Sequence, residues 1–497
     1  MLTKSKYCNY CQCKKMLWLK INKPEELEVD ESALARVEGA NKVCALEKTM
    51  FGDFVDVHKC CGAKADTNKL ASKTTELISA GEQLISGATF VWNDCACTVD
   101  LLKKENDGYA MFELKSSTSA FHHTYIVGLS FQKFVLEQCG VKVVSTNVVN
   151  VNNKYVFDKK LDLTQLFKVS NVDELVEKEI VNVEKNIIAA QKILTKKAEP
   201  KLDLCASCHS PYTCGYWKYC SKHLPIPSVF DLYATSIQKK ISYYNKGIVS
   251  FQDLLNTGEN LGHIQNMQVF HTLKNLPTNI DKPGIKKFLN TLSYPLYFLD
   301  FETVQSGIPT YKKSKPYQPI PFQYSLHYVE HKGGEVKHKE FFADSLKDPR
   351  KQIAKRLCKD IPLNACVLAY NKFFERDRIR ELAKLYPRLG KKLNVIADNV
   401  KDLAVPFLNG SVYNKLMGNS ISIKSILPAL YPNDPSLNYD NLQGVHNGNE
   451  AMIIYPKMKS MTKAERKKVK QELLEYCKLD TFAMVKIYEF LVKSASK

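Results

Sequence analysis

The sequence predicts an α/β protein of two or three domains. Its 497 residues are too many for one ordinary hydrophobic core. From about Thr89 to Asp158, short apolar runs rich in Val, Phe and Tyr are separated by turn signals such as NDG, which favours β-strands. Over residues 170–200, the apolar spacing of VDELVEKEIVNVEKNIIAAQKIL predicts one amphipathic helix.

The remaining segments follow in order. Residues 1–60 are predicted to be helical, and Thr124–Cys139 has the length and periodicity of a helix between strands. A largely helical connector precedes YPLYFLDFE, which opens a second strand-rich segment, and a helix from about Lys463 to Ser494 ends the chain. We therefore divide the chain into 1–222, 223–285 and 286–497.

The composition is that of an ordinary globular chain, with 44% hydrophobic and 25% charged residues. Lys and Arg exceed Asp and Glu by 71 − 52 = 19, which suits a polyanion such as nucleic acid, although many basic proteins bind none. No apolar run approaches the roughly 20 residues of a membrane span, and the N-terminus lacks the apolar block of a signal peptide. We expect a cytoplasmic protein without a membrane partner.

Two acids stand at the end of the apolar segment LYFLDFET, residues 296–303. In a strand, Asp300 and Glu302 point to the same side. Two carboxylates on one buried face repel each other unless a cation lies between them, and their oxygens suit Mg²⁺ or Mn²⁺. A strand that runs out into solvent would show the same D-x-E by chance.

Two further segments carry acids in suggestive places. In EYCKLDTFAMVKIYEFL, residues 475–491, Tyr476 and Asp480 are four apart and share one face of a helix. VLAYNKFFERDRIREL, residues 367–382, predicts a strand, an Asn turn and a helix beginning near Phe374. Glu375 or Asp377 then lies in its first turn, where an acid is favourable in any helix.

The order of these segments is more specific than any one of them. A D-x-E strand, then Y-N-x-x-F-acid, then Y-x-x-x-D resembles the DEDDy exonucleases of the ribonuclease H-like fold. The wording is closer still to the bacterial family called domain of unknown function 2779, over about residues 290–495. The resemblance implies 3′→5′ removal of nucleotides from single-stranded ends by two metal ions. It implies as site residues the metal ligands Asp300, Glu302, Glu375 and Asp480, with Tyr476 orienting the attacking water. Most such enzymes carry Asp where this chain has Glu375, so Asp377 stays an alternative.

A second group of residues lies in TVDLLKKENDGYAMFELKSS, residues 98–117. Glu113 and Lys115 share a strand face, and an NDG hairpin can bring Asp100 beside them. One metal ion held by Asp100 and Glu113, with Lys115 near the scissile phosphate, is a coherent hydrolytic site, and Gln132 of the next helix could line the same cleft. E-x-K is also a common pattern of exposed hairpins.

This segment resembles the PD-(D/E)XK nucleases, in the branch of Cas4 and the RecB-like domains, over roughly residues 1–222. The resemblance implies a restriction-endonuclease-like fold and a [4Fe–4S] cluster that joins the two ends of the domain. Its ligands would be Cys13 from QCKKMLWL and Cys208, Cys214 and Cys220 from CHSPYTCGYWKYC. The branch often has a metal-binding His early in the chain, but Gly39–Cys44, where it should fall, has none.

Zinc is the alternative to iron–sulfur. The 16 cysteines are clustered, and structural disulfides are rare in the cytoplasm, so metal binding is the better explanation. Two C-x-x-C pairs, Cys8 with Cys11 and Cys205 with Cys208, have the spacing of a zinc site. The resemblance favours iron–sulfur.

Together these patterns predict a two-nuclease protein that acts on single-stranded DNA ends in repair, phage defence or CRISPR-associated processing. The main alternative is a cluster-stapled or zinc-stapled nucleic-acid-binding subunit in which one site or both have decayed. A structural subunit of a repair or defence complex is a third interpretation. DNA and RNA are not distinguished by these residues.

Overall fold

The computed structural model describes residues 1–28, 31–62, 64–210 and 212–496. The protein is a mixed α/β chain with several sheets. It divides into two compact units, Met1–His223 with Ser306–Tyr317, and Leu224–Gln305 with Gln318–Lys497. Residues 224–285, which the sequence separates as a connector, thus lie within the second unit. Among the described residues, no helix is both long and apolar enough to cross a bilayer.

The first unit is built on one mixed sheet with the strand order β2-β3-β4-β5-β6-β7, and β1 pairs with β4. The strands are β1 (Leu2–Thr3), β2 (Val55–Asp56), β3 (Leu84–Trp92), β4 (Cys95–Glu105), β5 (Gly108–Lys115), β6 (Val143–Val151) and β7 (Phe167–Asn171). The predicted NDG hairpin joins β4 to β5, since Glu105 pairs with Gly108. Strands β5 and β6 are parallel, which requires a crossover connection.

Helices cover both faces of this sheet. They are α1 (Lys4–Gln12), α2 (Lys14–Asn22), α3 (Glu31–Thr49), α4 (Val57–Cys61), α5 (Thr67–Ser79), α6 (His123–Gln138), α7 (Leu163–Leu166), α8 (Asp173–Ile180), α9 (Val183–Leu194) and α10 (Trp217–Ser221). Neighbours on β6 alternate between two cores: Val148 packs in one hydrophobic cluster and Val149 in the other. The helix predicted over Thr124–Cys139 is the crossover helix α6.

The single helix predicted over residues 170–200 is wrong. Two helices, α8 and α9, are separated at Val181 and Asn182. Both residues are poor helix formers, because a β-branched side chain loses rotamer freedom and Asn competes for backbone hydrogen bonds. Val181 is also 76% exposed and gains nothing from packing.

The second unit contains a sheet with the strand order β11-β10-β9-β12-β13 and a two-stranded pair, β14-β8. Its strands are β8 (Asn279–Ile280), β9 (Leu296–Val304), β10 (Ile320–Val329), β11 (Lys337–Phe342), β12 (Cys366–Ala369), β13 (Val400–Asp402) and β14 (Val412–Tyr413). Strands β9, β10 and β11 are antiparallel neighbours, whereas β12 runs parallel to both β9 and β13. The apolar β9 is buried along most of its length, as a central strand covered on both faces should be.

Helices surround this sheet. They are α11 (Ile237–Asn245), α12 (Phe251–Thr257), α13 (His263–Leu273), α14 (Lys282–Leu289), α15 (Arg350–Asp360), α16 (Lys372–Leu385), α17 (Pro387–Asp398), α18 (Val405–Leu408), α19 (Ile423–Leu430), α20 (Gly448–Lys457) and α21 (Lys463–Ser496). The predicted terminal helix is confirmed as α21. It begins with a reciprocal cap in which Thr462 accepts from the Glu465 N–H and Glu465 accepts from the Thr462 N–H.

Candidate active site

The central strand β9 carries two of the predicted acids. Asp300 pairs with Ser325 of β10, and Glu302 pairs with Gln323. The two acids are two positions apart on the strand, so their side chains lie on the same face of the sheet. Glu302 is buried, and Asp300 is partly buried. Helix α21 packs against this strand and presents the buried Tyr476 and Asp480.

One cavity of about 490 Å³ collects the predicted residues of the second unit. Its lining includes the acids Asp300, Glu302, Glu375 and Asp480 together with Tyr476. Apolar side chains form other parts of the wall, among them Phe374, Ile423, Met452 and Met484. Strand β9, the start of α16 and the middle of α21 thus meet at one place, as the three sequence segments require.

Burial raises the pKa of each of the four carboxylates in this cavity. Burial raises the pKa of Asp300 well above its ordinary value, and the charges of Asp480, Glu302 and Glu375 raise it further. The pKa of Glu302 is also raised well above normal by burial and by Asp480. Burial raises the pKa of Asp480 only to about 6, because a hydrogen bond from Tyr439 and the charge of Lys424 oppose it. Carboxylates in this arrangement favour a bound cation.

Glu375, not Asp377, faces the cavity. Glu375 is 3% exposed, burial raises its pKa to about 8, and its Oε2 has no hydrogen-bond partner among the described residues. Asp377 is exposed, and its carboxylate lies 3.8 Å from Arg376 Nε.

The turn before α16 sets where Glu375 lies. Asn371 has a left-handed backbone with φ 68°, which Asn tolerates better than most residues. The carboxylate of Asp402, at the end of β13, accepts the N–H groups of Asn371 and Lys372, both at 3.2 Å. Asp402 also accepts the Ala404 N–H. One side chain thus fixes the start of the helix.

Sequence reasoning missed two residues here. Tyr439 is buried, and its hydroxyl donates a 2.7 Å hydrogen bond to Asp480 Oδ1. The Nζ of Lys424 lies 4.8 Å from the ring centre of Tyr439 and 5.1 Å from that of Tyr476, and it donates to the His446 carbonyl at 2.7 Å. Neither residue belongs to a segment with a recognisable spacing, so no pattern in the sequence indicated them.

In the first unit, the hairpin brings the other predicted group together. Lys115 Nζ lies 2.7 Å from Glu113 Oε1, and Asp100 Oδ2 accepts the Leu114 N–H at 2.9 Å. Lys4, which sequence reasoning missed, contacts both oxygens of Glu113 at 2.8 and 2.9 Å. Burial alone would raise the pKa of Glu113, but Lys4 and Lys115 hold it at about 2.

A further buried acid of α3 belongs to this group. Glu47 is 0% exposed, and burial, with the charge of Asp100, raises its pKa to about 8. Both its oxygens lack a hydrogen-bond partner among the described residues. It lies just beyond Gly39–Cys44, the range in which the resemblance predicts a His.

Gln132 is fully buried and donates to the Thr98 carbonyl at 2.8 Å; no described hydrogen bond links it to Asp100 or Glu113.

The cysteines that the sequence predicts as metal ligands fall into two groups. One small cavity is lined by Cys13, Cys208, Cys214 and Cys220. The thiol of Cys205 is close enough to Cys13 and Cys208 for its charge to raise their pKa values. Five sulfur atoms therefore gather here, which fits a thiolate-held metal group. Cys8 and Cys11 lie elsewhere: Cys8 is close to Lys4 and Glu113, and Cys11 to Tyr7.

Comparison with known proteins adds a family match in the second unit. Residues 297–422 match the family described as "Domain of unknown function (DUF2779)". The matched range includes Asp300, Glu302 and Glu375 and ends before Asp480.

A curated relative has no assigned activity. The chain is 28% identical over 225 residues to "Uncharacterized protein MG366" of Mycoplasma genitalium (strain ATCC 33530). That match covers 41% of this chain and 33% of the relative, so it spans about a third of the relative's length.

Proposed function

We propose that the second unit is a metal-dependent phosphodiester hydrolase of the DEDDy kind, with a ribonuclease H-like fold, that removes nucleotides from the 3′ ends of single-stranded DNA. The observation that carries the proposal is the single cavity lined by Asp300, Glu302, Glu375, Asp480 and Tyr476. Glu302 and Glu375 are 73 positions apart, and Glu375 and Tyr476 are 101 apart. The order of the three segments in the sequence had already grouped these residues.

The sheet supports the same proposal. In the strand order β11-β10-β9-β12-β13, three antiparallel strands are followed by two parallel ones, and the acidic strand β9 is central. The third acid follows the neighbouring strand β12, and the last lies on the terminal helix. This strand order and these positions of the acids support the proposed ribonuclease H-like fold.

The donor set fits hard divalent cations. Neighbouring carboxylates raise the pKa values of Asp300 and Glu302, and Oε2 of Glu375 has no partner among the described residues; both observations point to positive charge in the cavity. Oxygen donors of this kind suit Mg²⁺ and Mn²⁺. When bound, such ions activate water and stabilise the leaving oxygen in phosphodiester cleavage.

The chain's own side chains would do the rest. Asp300, Glu302, Glu375 and Asp480 would hold the ions. The Tyr476 hydroxyl, on the cavity wall beside Asp480, orients the attacking water. The Lys424 ammonium attracts a substrate phosphate, and Phe374 and Ile423 provide apolar contact for a base.

Degradation of labelled oligonucleotides tests the proposal. We expect Mg²⁺- or Mn²⁺-dependent release of mononucleotides from single-stranded DNA, with a 5′ label showing a ladder that shortens from the 3′ end. Asp300→Ala should abolish release, whereas Asp377→Asn, a change of an exposed acid on the same helix as Glu375, should not. Wild-type activity in the Asp300→Ala protein would contradict the proposal, and an RNA substrate in parallel decides between the two nucleic acids.

A second candidate function is favoured by the first unit. Asp100, Glu113, Lys115 and Glu47 form a PD-(D/E)XK-like group that could hold one metal ion, and Lys4 occupies both oxygens of Glu113. A metal ion would have to displace Lys4. This competition leaves two outcomes. The first unit hydrolyses nucleic acid weakly, or it binds nucleic acid without hydrolysing it.

The Asp300→Ala background separates these two outcomes. If the first unit hydrolyses DNA, residual Mn²⁺-dependent nicking should remain and should disappear in Asp300→Ala, Glu113→Gln. If residual nicking is absent while strand affinity is kept, the first unit binds nucleic acid without cutting it.

A further inference from the structure

Cys477 is a cysteine inside the carboxylate cluster. It follows Tyr476 on α21 and precedes Asp480 by three positions, so it shares a helix face with Asp480. Its side chain is 0% exposed, and its Sγ lies 3.6 Å from Asp300 Oδ2 and 3.8 Å from the Asp300 carbonyl oxygen. The sulfur atom therefore lies beside a carboxylate that we propose as a metal ligand.

The donor atoms are close enough to share an ion. One ligand atom each from Asp300, Glu302 and Cys477 all lie within 4.8 Å of one another. A point equidistant from three atoms at that spacing is 4.8/√3, about 2.8 Å, from each, and zinc–ligand bonds are about 2.0–2.3 Å. Side-chain movements of about 0.5 to 0.8 Å would therefore close the site.

The identity of the metal ion decides whether the sulfur atom of Cys477 binds it. Mg²⁺ takes oxygen donors and leaves a thiol protonated, whereas Zn²⁺ and Co²⁺ bind thiolate strongly. We propose that Cys477, with Asp300 and Glu302, makes this centre a binding site for thiophilic divalent cations, Zn²⁺ above all. On binding, the S–H bond breaks, its proton leaves to solvent and a metal–sulfur bond forms, without electron transfer.

The consequence for activity rests on the proposed function. Zn²⁺ held by Cys477 takes two of the carboxylates that the hydrolytic ions need. It therefore competes with Mg²⁺ at the site and inhibits the enzyme.

Co²⁺ serves as a spectroscopic probe for this site, because a thiolate bound to Co²⁺ gives a charge-transfer band that carboxylates do not. Full-length wild-type protein is titrated with Co²⁺ beside Cys477→Ser, Asp300→Asn and Cys358→Ser. Cys358 is a buried cysteine in the hydrophobic core of the same unit, where burial raises its pKa and the charge of Lys392 lowers it. Cysteines of the first unit contribute equally in all four proteins and cancel in the difference spectra.

We expect wild type and Cys358→Ser to show one more equivalent of the thiolate band than Cys477→Ser and Asp300→Asn. Zinc should displace the band, and its affinity should fall in Cys477→Ser by at least the roughly 10- to 100-fold that the loss of a hydrogen-bond partner of a metal ligand costs. Identical bands in wild type and Cys477→Ser would overturn the inference. If Cys477→Ser does not fold, an undiminished band in Asp300→Asn overturns it equally. Because no nucleic acid is present, an inactive protein that keeps the band contradicts only the proposed function.

Discussion

The Tyr439 hydroxyl donates to Asp480 across 41 residues of chain, at 2.7 Å. Its ring centre lies 6.1 Å from that of Tyr476, so two phenols stand beside one carboxylate. Of these two tyrosines, Tyr476 lines the cavity and Tyr439 does not. The two tyrosines should therefore differ in function, Tyr439 holding the ligand in place and Tyr476 facing the substrate.

Single Phe substitutions should separate these roles. Tyr476→Phe should lower kcat by about 10²-fold at saturating metal, the lower range for a group that positions a proton. Tyr439→Phe should raise the Mn²⁺ concentration at half-maximal rate by about tenfold, because an outer hydrogen bond to the ligand is lost. Steady-state rates over a Mn²⁺ series check both, and the same profile for the two variants would refute the distinction.

The third ligand is testable at Glu375. Glu375→Gln should reduce activity to the level of Asp300→Ala, because a neutral amide replaces a buried carboxylate that lines the cavity. Asp377→Asn, two residues further on and exposed, should stay within about twofold of wild type, as surface changes usually do. Loss of activity in the Asp377 variant alone would exchange the assignments.

Lys424 should contribute to substrate binding. Lys424→Met is expected to raise KM by about tenfold. It should also reduce the slope of log affinity against log salt concentration by about one, the contribution of one phosphate contact. Lys391→Met, a change of an exposed lysine on α17 outside the cavity lining, is the matched control. Fluorescence anisotropy in Ca²⁺ over a salt series measures the slope, and equal slopes for the two variants would rule out a phosphate contact.

A buried histidine should make the second unit acid-sensitive. His327 is 4% exposed, and burial, His338 and Lys478 lower its pKa to about 3; its Nδ1 lies 2.8 Å from Thr481 Oγ1. The folded state holds it neutral, whereas the unfolded chain binds a proton near pH 6.5. Stability is therefore complete above about pH 6.5 and falls as the pH drops toward 3.

Between about pH 7.5 and pH 5 this costs up to about 2 kcal/mol. Calorimetric melting at the two values should show a smaller loss in His327→Asn than in wild type. The exposed His331→Asn protein should behave like wild type. His338, whose pKa burial lowers to about 4, accounts for part of the remaining loss.

The cysteine cavity predicts a coloured protein. Purified without oxygen, the chain should be brown and contain iron, and Cys208→Ser should lose both colour and iron. Cys8→Ser and Cys11→Ser should keep them, because those thiols lie with Lys4 and Tyr7 rather than in the cavity. A colourless protein with stoichiometric zinc would replace the iron–sulfur assignment by a zinc one.

Local spacing predicted the parts of the site that lie on regular elements. Asp300 and Glu302 share a face because strands alternate, and Tyr476 and Asp480 stack because helices repeat every 3.6 residues. The helix start that places Glu375 was visible in the Asn turn. The segments themselves, β9, α6 and α21, were predicted within a few residues.

What spacing could not predict depends on distant packing. Tyr439 and Lys4 each lie far in sequence from the acid that they contact, so they reach it only after the chain has folded. Lys424 likewise reaches the ring of Tyr476 only in the folded chain. The break between α8 and α9 was missed because apolar periodicity outweighed the weak helix propensity of Val181 and Asn182. Glu47 belongs to no spacing pattern that would have indicated it, and it joins Asp100 and Lys115 only through folding.

The hydrogen bonds of Asp402 have a consequence for mutational screens. The Asp402 carboxylate accepts the N–H groups of Asn371 and Lys372 at the start of α16 and that of Ala404 after β13, and so fixes the first turn of the helix that carries Glu375. A change such as Asp402→Ala would shift that carboxylate without altering it. Asp402 would then score as an essential acid, and a screen that reads only activity would count one more metal ligand than the centre has.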